Sequence, residues 1–117
     1  MARILSVSYD QSLLYTRHSI LEQHGHSVVS ALGFTQALKC CEEAKDFSIF
    51  ILGHSIPRQD KEALIAAFRA HCPGTVVALK RVNESPVAGA DFETEPSPQA
   101  ILEVIEQIRK TRNAAAD

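Results

Sequence analysis

The sequence is poor in the features that most often identify a function. It has no basic stripe. Its net charge is −2, and the single basic run, Arg109, Lys110 and Arg112, sits where the last turn of a helix is expected, so a nucleic-acid-binding surface is not indicated. The three cysteines are odd in number. The adjacent Cys40-Cys41 with a distant Cys72 matches neither a zinc knuckle nor a CxxC redox pair, which leaves small buried side chains or free thiols of a reducing compartment. MARILSVSYD enters a strand-like run at once, without an apolar region of signal-peptide length, and no stretch approaches membrane-spanning length. No membrane partner is expected, and the cytoplasm is the expected location. SVSYDQS, residues 6 to 12, contains no glycine, so no phosphate-cradling loop follows the first strand.

What is present is an ordinary soluble composition. In 117 residues, 45% are hydrophobic and 22% charged, enough for one domain with its own core. The most informative stretch is FSIFILGHSIP, residues 47 to 57. Four apolar residues in succession, Ile49 to Leu52, describe a strand buried on both faces, as in a parallel sheet covered by helices. Function in such sheets collects at the carboxyl ends of strands, which directs attention to Gly53, His54 and Ser55.

Strands and helices alternate along the chain. Strands are expected at 3–7, 27–31, 49–52, 75–79 and 91–94. Asp10 caps a first helix over about 11 to 24, whose spaced residues are Leu13, Leu14, Arg17, Ile20, Leu21 and His24, and Gly25 stops it. Thr35 can cap a second helix with Ala37, Leu38, Cys41 and Ala44 inward. A third begins near Gln59 or Asp60, carries Leu64, Ile65 and Phe68 on its seam, and ends at Cys72. Ser97-Pro98 opens a final helix on Ile101, Leu102, Val104, Ile105 and Ile108. Between the fourth and fifth strands KRVNESPVAG is too short and too polar for a full helix, so a loop or one turn is expected. The alternation predicts an α/β fold with a doubly wound parallel sheet, with residues 113–117 a frayed tail.

With its segment order, the strand-loop-proline spacing of Ile49 to Pro57, and GADFETEP at 89–96, the chain resembles the receiver domain of two-component response regulators over residues 1–112. That resemblance implies a flavodoxin-like five-stranded sheet of order 2-1-3-4-5 with the fourth helix shortened or missing. It also implies phosphotransfer to an aspartate ending the third strand, with magnesium held by an acidic pair after the first strand, and a hydroxyl and a lysine after the fourth and fifth. Here those positions are Gly53, Ser8 with Tyr9, Lys80 and Glu95, and none carries the required group. Asp10 reads as a helix cap, one carboxylate being a poor magnesium site. A degenerate site is therefore expected, with Asp10, His54 and Ser55 around a residual pocket and neither metal nor cofactor. Lys80 and Glu95 are expected to converge as a pair, and Glu95-Pro96 to be cis, as that family commonly has it.

The function that follows is a phosphorylation-independent receiver-like domain, not an enzyme, that works through protein-protein contact in a phosphorelay signalling pathway. With no output segment after Asp117, its signal is expected to pass in trans, unless the chain is a piece of a longer one. Loss of the fourth helix should bare one side of the fourth and fifth strands, for a homodimer or another partner to cover. The alternative is a flavodoxin-like binder or enzyme that uses the same strand ends for an anion or nucleotide; the missing glycine loop weighs against it. His54-Ser55 as a nucleophile-base pair lacks an acid partner, and His24 with His26 lacks further metal ligands at suitable spacing.

Overall fold

Side-chain alternation along the strands builds the molecule. The structure, a computed structural model, describes residues 2–44, 46–72 and 74–116. Its elements are β1 (Arg3–Ser8), α1 (Gln11–Gln23), β2 (Ser27–Leu32), α2 (Phe34–Glu43), β3 (Ile49–Leu52), α3 (Arg58–His71), β4 (Thr75–Leu79), β5 (Phe92–Thr94) and α4 (Pro98–Ala116). The strands form one parallel sheet in the order β2-β1-β3-β4-β5, as the resemblance implied. No helix lies between β4 and β5.

Because successive strand residues point to opposite faces, β3 splits its four apolar side chains between two cores. Phe50 and Leu52 join Leu5, Val7, Val76 and Ala78 beneath α2 and α3. Phe50 stacks on Phe68 of α3, with ring centroids 4.3 Å apart. Ile49 and Ile51 join Ile4, Val77 and Leu79 on the other face, against Leu21, Ile101, Ile105 and Ile108. Helices on both faces account for the unbroken apolar run.

The helix ends follow local chemistry. Asp10 accepts the Leu13 amide at 3.0 Å, and the Ser97 hydroxyl accepts the Ala100 amide at 3.2 Å, so both expected caps are formed. Thr35 is not a cap. The chain enters α2 through Gly33 at φ 92°, a conformation open to glycine and costly for threonine, and α2 begins one residue before Thr35. Helix α3 starts at Arg58, slightly earlier than expected, and Cys72 is its C-cap. Helix α4 continues to Ala116, taking in most of the stretch read as a tail; Asp117 lies outside the described residues. The basic run at 109–112 thus falls inside α4 rather than at its end, and Arg109 lies 3.5 Å from Glu106. The Glu95–Pro96 bond is trans, as are the other peptide bonds among the described residues.

The gap left by the absent helix is closed from within. Val87, 7% exposed, packs into the α2/α3 core. Its loop is tied down by Arg69, which donates to the Gly89 carbonyl at 2.8 Å and pairs with Asp91 at 2.9 Å. Asp91 in turn accepts the Val76 amide at 2.8 Å. From Val76 to Leu79 β4 is buried, while β5 is partly exposed. The expected bare flank is therefore confined to β5. Seating Val87 there buries apolar area on the face that a helix would otherwise have covered.

Candidate functional site

Parallel register brings the carboxyl ends of four strands together. Val7 pairs with Leu52, Leu52 with Ala78 and Leu79 with Thr94. Ser8 and Gly53 are therefore level, with Lys80 and Glu95 one residue further along. The side chains at these positions are engaged elsewhere or point to solvent. The Ser8 hydroxyl is buried, accepts the Asp10 amide at 3.0 Å and lies 3.1 Å from the Asp10 carbonyl. The Tyr9 hydroxyl donates to Asp60 at 2.7 Å, tying the loop after β1 to the first turn of α3. Burial pushes its pKa up to about 12, helped by that hydrogen bond and by the Asp60 charge.

Lys80 and Glu95 do not pair. The Lys80 ammonium donates to the Glu84 carbonyl at 3.2 Å, and Glu95 is exposed with no ion-pair partner among the described residues. The short loop after β4 curls back and gives the lysine a nearer acceptor.

Gly53 donates its amide to Val7 at 2.9 Å. A Cβ placed on it would stand 3.1 Å from the Val7 carbonyl, 3.2 Å from Arg17 Nη2 and 3.5 Å from the Ser8 Cβ. The neighbour at the side-chain position of residue 53 is thus the guanidinium of Arg17, reaching in from α1. Arg17 is 8% exposed, and its Nη1 donates to the Ser6 hydroxyl at 3.1 Å and the Val7 carbonyl at 3.3 Å. No carboxylate pairs with it among the described residues. Burial brings its pKa down to about 10, which leaves it charged at neutral pH.

A second buried cation lies close by. Lys61 of α3 is 2% exposed and donates to the Leu79 carbonyl at 2.9 Å; burial lowers its pKa. His54 follows Gly53, and its Nδ1 is buried without a hydrogen-bond partner. Its pKa is lowered by burial first, then by the charges of Arg81 and Arg17. Ser55 is exposed and Asp10 is committed to its cap; of the three residues expected around a residual pocket, His54 is the one that lines the cleft between α1 and α4.

These residues do not fit a magnesium ion. The nearest acid, Asp10, caps a helix, and a guanidinium stands where a divalent cation's ligands would be needed. Among the described residues no group of three or more His, Cys, Asp or Glu could hold a metal. His24 contacts the Ile20 carbonyl at 2.9 Å and His26 accepts the Ala2 amide at 3.3 Å, so each serves the backbone. Cys41 and Cys72 are buried, Cys40 half-buried, and all three are free. No helix among the described residues is long and apolar enough to cross a membrane.

Sequence reasoning placed Arg17 among the spaced residues of α1 without assigning it a role, and passed over Lys61. The available signal was the same in both cases: a charged residue at helical spacing within an apolar seam, Arg17 four before Leu21 and Lys61 three before Leu64.

No protein-family model matches the chain, and no curated protein matches its sequence. Solved structures do match its fold. A response regulator receiver domain from Clostridium thermocellum superposes with a TM-score of 0.83 at 18% identity, covering 98% of this chain and 99% of that one. The N-terminal domain of a response regulator/sensory box/GGDEF protein from Carboxydothermus hydrogenoformans gives 0.82 at 17% identity over 98% and 99%. A CheY-like receiver domain from Methanospirillum hungatei gives 0.80 at 22% over 98% of each. The chain has the fold of the response regulator receiver domains.

Proposed function

We propose that this chain is a phosphorylation-independent receiver-like domain of a two-component signalling pathway, a degenerate pseudo-receiver that works through contact with a protein partner. The observation that carries the reading is Arg17 Nη2 lying 3.2 Å from the side-chain position of Gly53. A phosphoacceptor needs a carboxylate there, and phosphoryl transfer needs a metal to neutralise developing charge. Glycine supplies no nucleophile. The fixed positive charge of Arg17 disfavours a divalent cation at close range. Ser8, Tyr9, Lys80 and Glu95 supply none of the remaining groups that the fold's phosphotransfer would use.

On this reading the chain catalyses nothing, resides in the cytoplasm and presents a surface to its partner, a second copy included. Treatment with acetyl phosphate and magnesium, followed by intact-mass measurement, tests it. The expected result is an unmodified mass; a phosphoryl adduct on an aspartate or glutamate overturns the reading. The alternative, a binder of small anions at the same strand ends, is favoured by one observation of its own, the buried and unpaired charge of Arg17.

A further inference from the structure

A cleft of about 170 Å³ lies between α1, α4 and the loop after β3. Leu13 and Ile20 of α1 line it with Pro96 and Leu102, and its polar lining consists of Arg17, His54 and Thr16. We propose that this cleft binds a small organic monoanion, a carboxylate carrying a short aliphatic or single-ring body, with the carboxylate on the guanidinium of Arg17 beside His54. The inference deepens the anion-binding alternative. It depends on the pseudo-receiver reading only in that a carboxylate at position 53 would claim the same guanidinium.

Three observations carry it. Arg17 is more than nine-tenths buried, and the hydrogen bonds it makes use Nη1 alone. The donors at Nη2 and Nε thus have no acceptor among the described residues. Burial of a guanidinium without a counter-charge is costly, and an incoming anion removes that cost while using the free donors. Independently, His54 lines the cleft and its Nδ1 is buried with no partner, so turning the ring into the cleft would offer an Nδ1–H donor to the same anion. The field is one-sided as well, since Arg17, Arg81 and Lys61 all act on His54 against Glu84 alone.

The class of ligand follows from the walls. A planar carboxylate matches the guanidinium fork, and a short apolar body gains from leaving water against Leu13, Ile20 and Leu102. Inorganic phosphate has no apolar body to leave water and would set hydrophilic oxygens against apolar walls.

Titration of the full chain with benzoate and with hexanoate, by calorimetry and by amide chemical-shift changes, tests the proposal. Benzamide and inorganic phosphate are the controls. The expected result is one site for at least one carboxylate, shifts centred on Arg17 and His54, and at least tenfold weaker binding of benzamide and phosphate. Arg17→Gln should weaken carboxylate binding at least tenfold. Leu102→Trp, which fills the cleft and leaves Arg17 in place, should abolish it, and circular dichroism establishes that each variant is folded. Absence of carboxylate binding, equal binding of benzamide, preference for phosphate, or binding unchanged in both variants each overturns the proposal. An adduct in the acetyl phosphate experiment would sink the pseudo-receiver reading while leaving benzoate binding to be judged on its own result.

Discussion

Arg17 Nη2 stands 3.2 Å from the point that a Cβ of Gly53 would occupy. One residue lacks a side chain at the end of the central strand, and a residue 36 positions earlier in the chain supplies a cation there. Each explains the other. A side chain at 53 would crowd the guanidinium, and without the guanidinium the missing side chain would leave a void beside Val7 and Ser8.

Gly53→Ala should cost about 1–3 kcal/mol, because its Cβ would be pressed between the Val7 carbonyl and Arg17. Gly53→Asp meets the same crowding but sets a carboxylate beside a buried cation, so it should be the more stable of the two variants. Urea unfolding of both checks the order. An aspartate variant less stable than the alanine variant would show that Arg17 does not need a counter-charge.

Arg17→Met removes a buried charge along with two hydrogen bonds, and should leave stability within about 1 kcal/mol of the parent or raise it. Urea unfolding of variant and parent at neutral pH checks this; a loss of more than about 3 kcal/mol would show that the guanidinium is held by a net favourable environment.

Val87→Ala should cost about 1–2 kcal/mol, the loss of two buried carbons from the site left by the absent helix. Val87→Asp should cost more and, by unseating the loop, promote self-association through the face it bares. Denaturation midpoints and sedimentation velocity measure the two effects. If Val87→Asp matches the parent in sedimentation coefficient and in stability, the loop is not the cover of that face.

His26 accepts the Ala2 amide through Nδ1, and burial is the first cause of its lowered pKa. The native state therefore favours the neutral ring. Stability contributed here is intact above the ordinary value of 6.5, is lost as pH falls below it, and stops falling once the folded pKa is passed. His26→Gln, which cannot titrate, should narrow the difference in unfolding midpoint between pH 7.5 and pH 5.5; an unchanged difference assigns the acid sensitivity to another group.

Much of the fold was legible because hydrophobic periodicity is a local signal. The runs at Ile49–Leu52 and Thr75–Leu79 have no polar residue after their first position and became the central strand β3 and its neighbour β4. Asp10 and Ser97 were readable as caps because a cap depends on residues within one turn. Thr35 misled for the same reason in reverse: a threonine near a helix start suits a cap, but Gly33 at positive φ had already turned the chain. The expected Lys80–Glu95 pair failed since strand register places the two near each other without saying which acceptor a long flexible side chain will choose.

By itself the sequence determined the order of the elements, the doubly wound sheet, the missing helix and the absence of a carboxylate at residue 53, because these follow from side-chain identity and local periodicity. Only the tertiary structure decided what fills the place of that carboxylate and what covers the gap after β4. Arg17 reaches Gly53, and Val87 joins the core beneath α2 and α3, by packing of separate elements against the sheet. Whether a charged residue on an apolar helix seam turns to solvent or inward depends on the space its neighbours leave. That space is a property of the assembled core, and no stretch of chain short enough to show a pattern contains it.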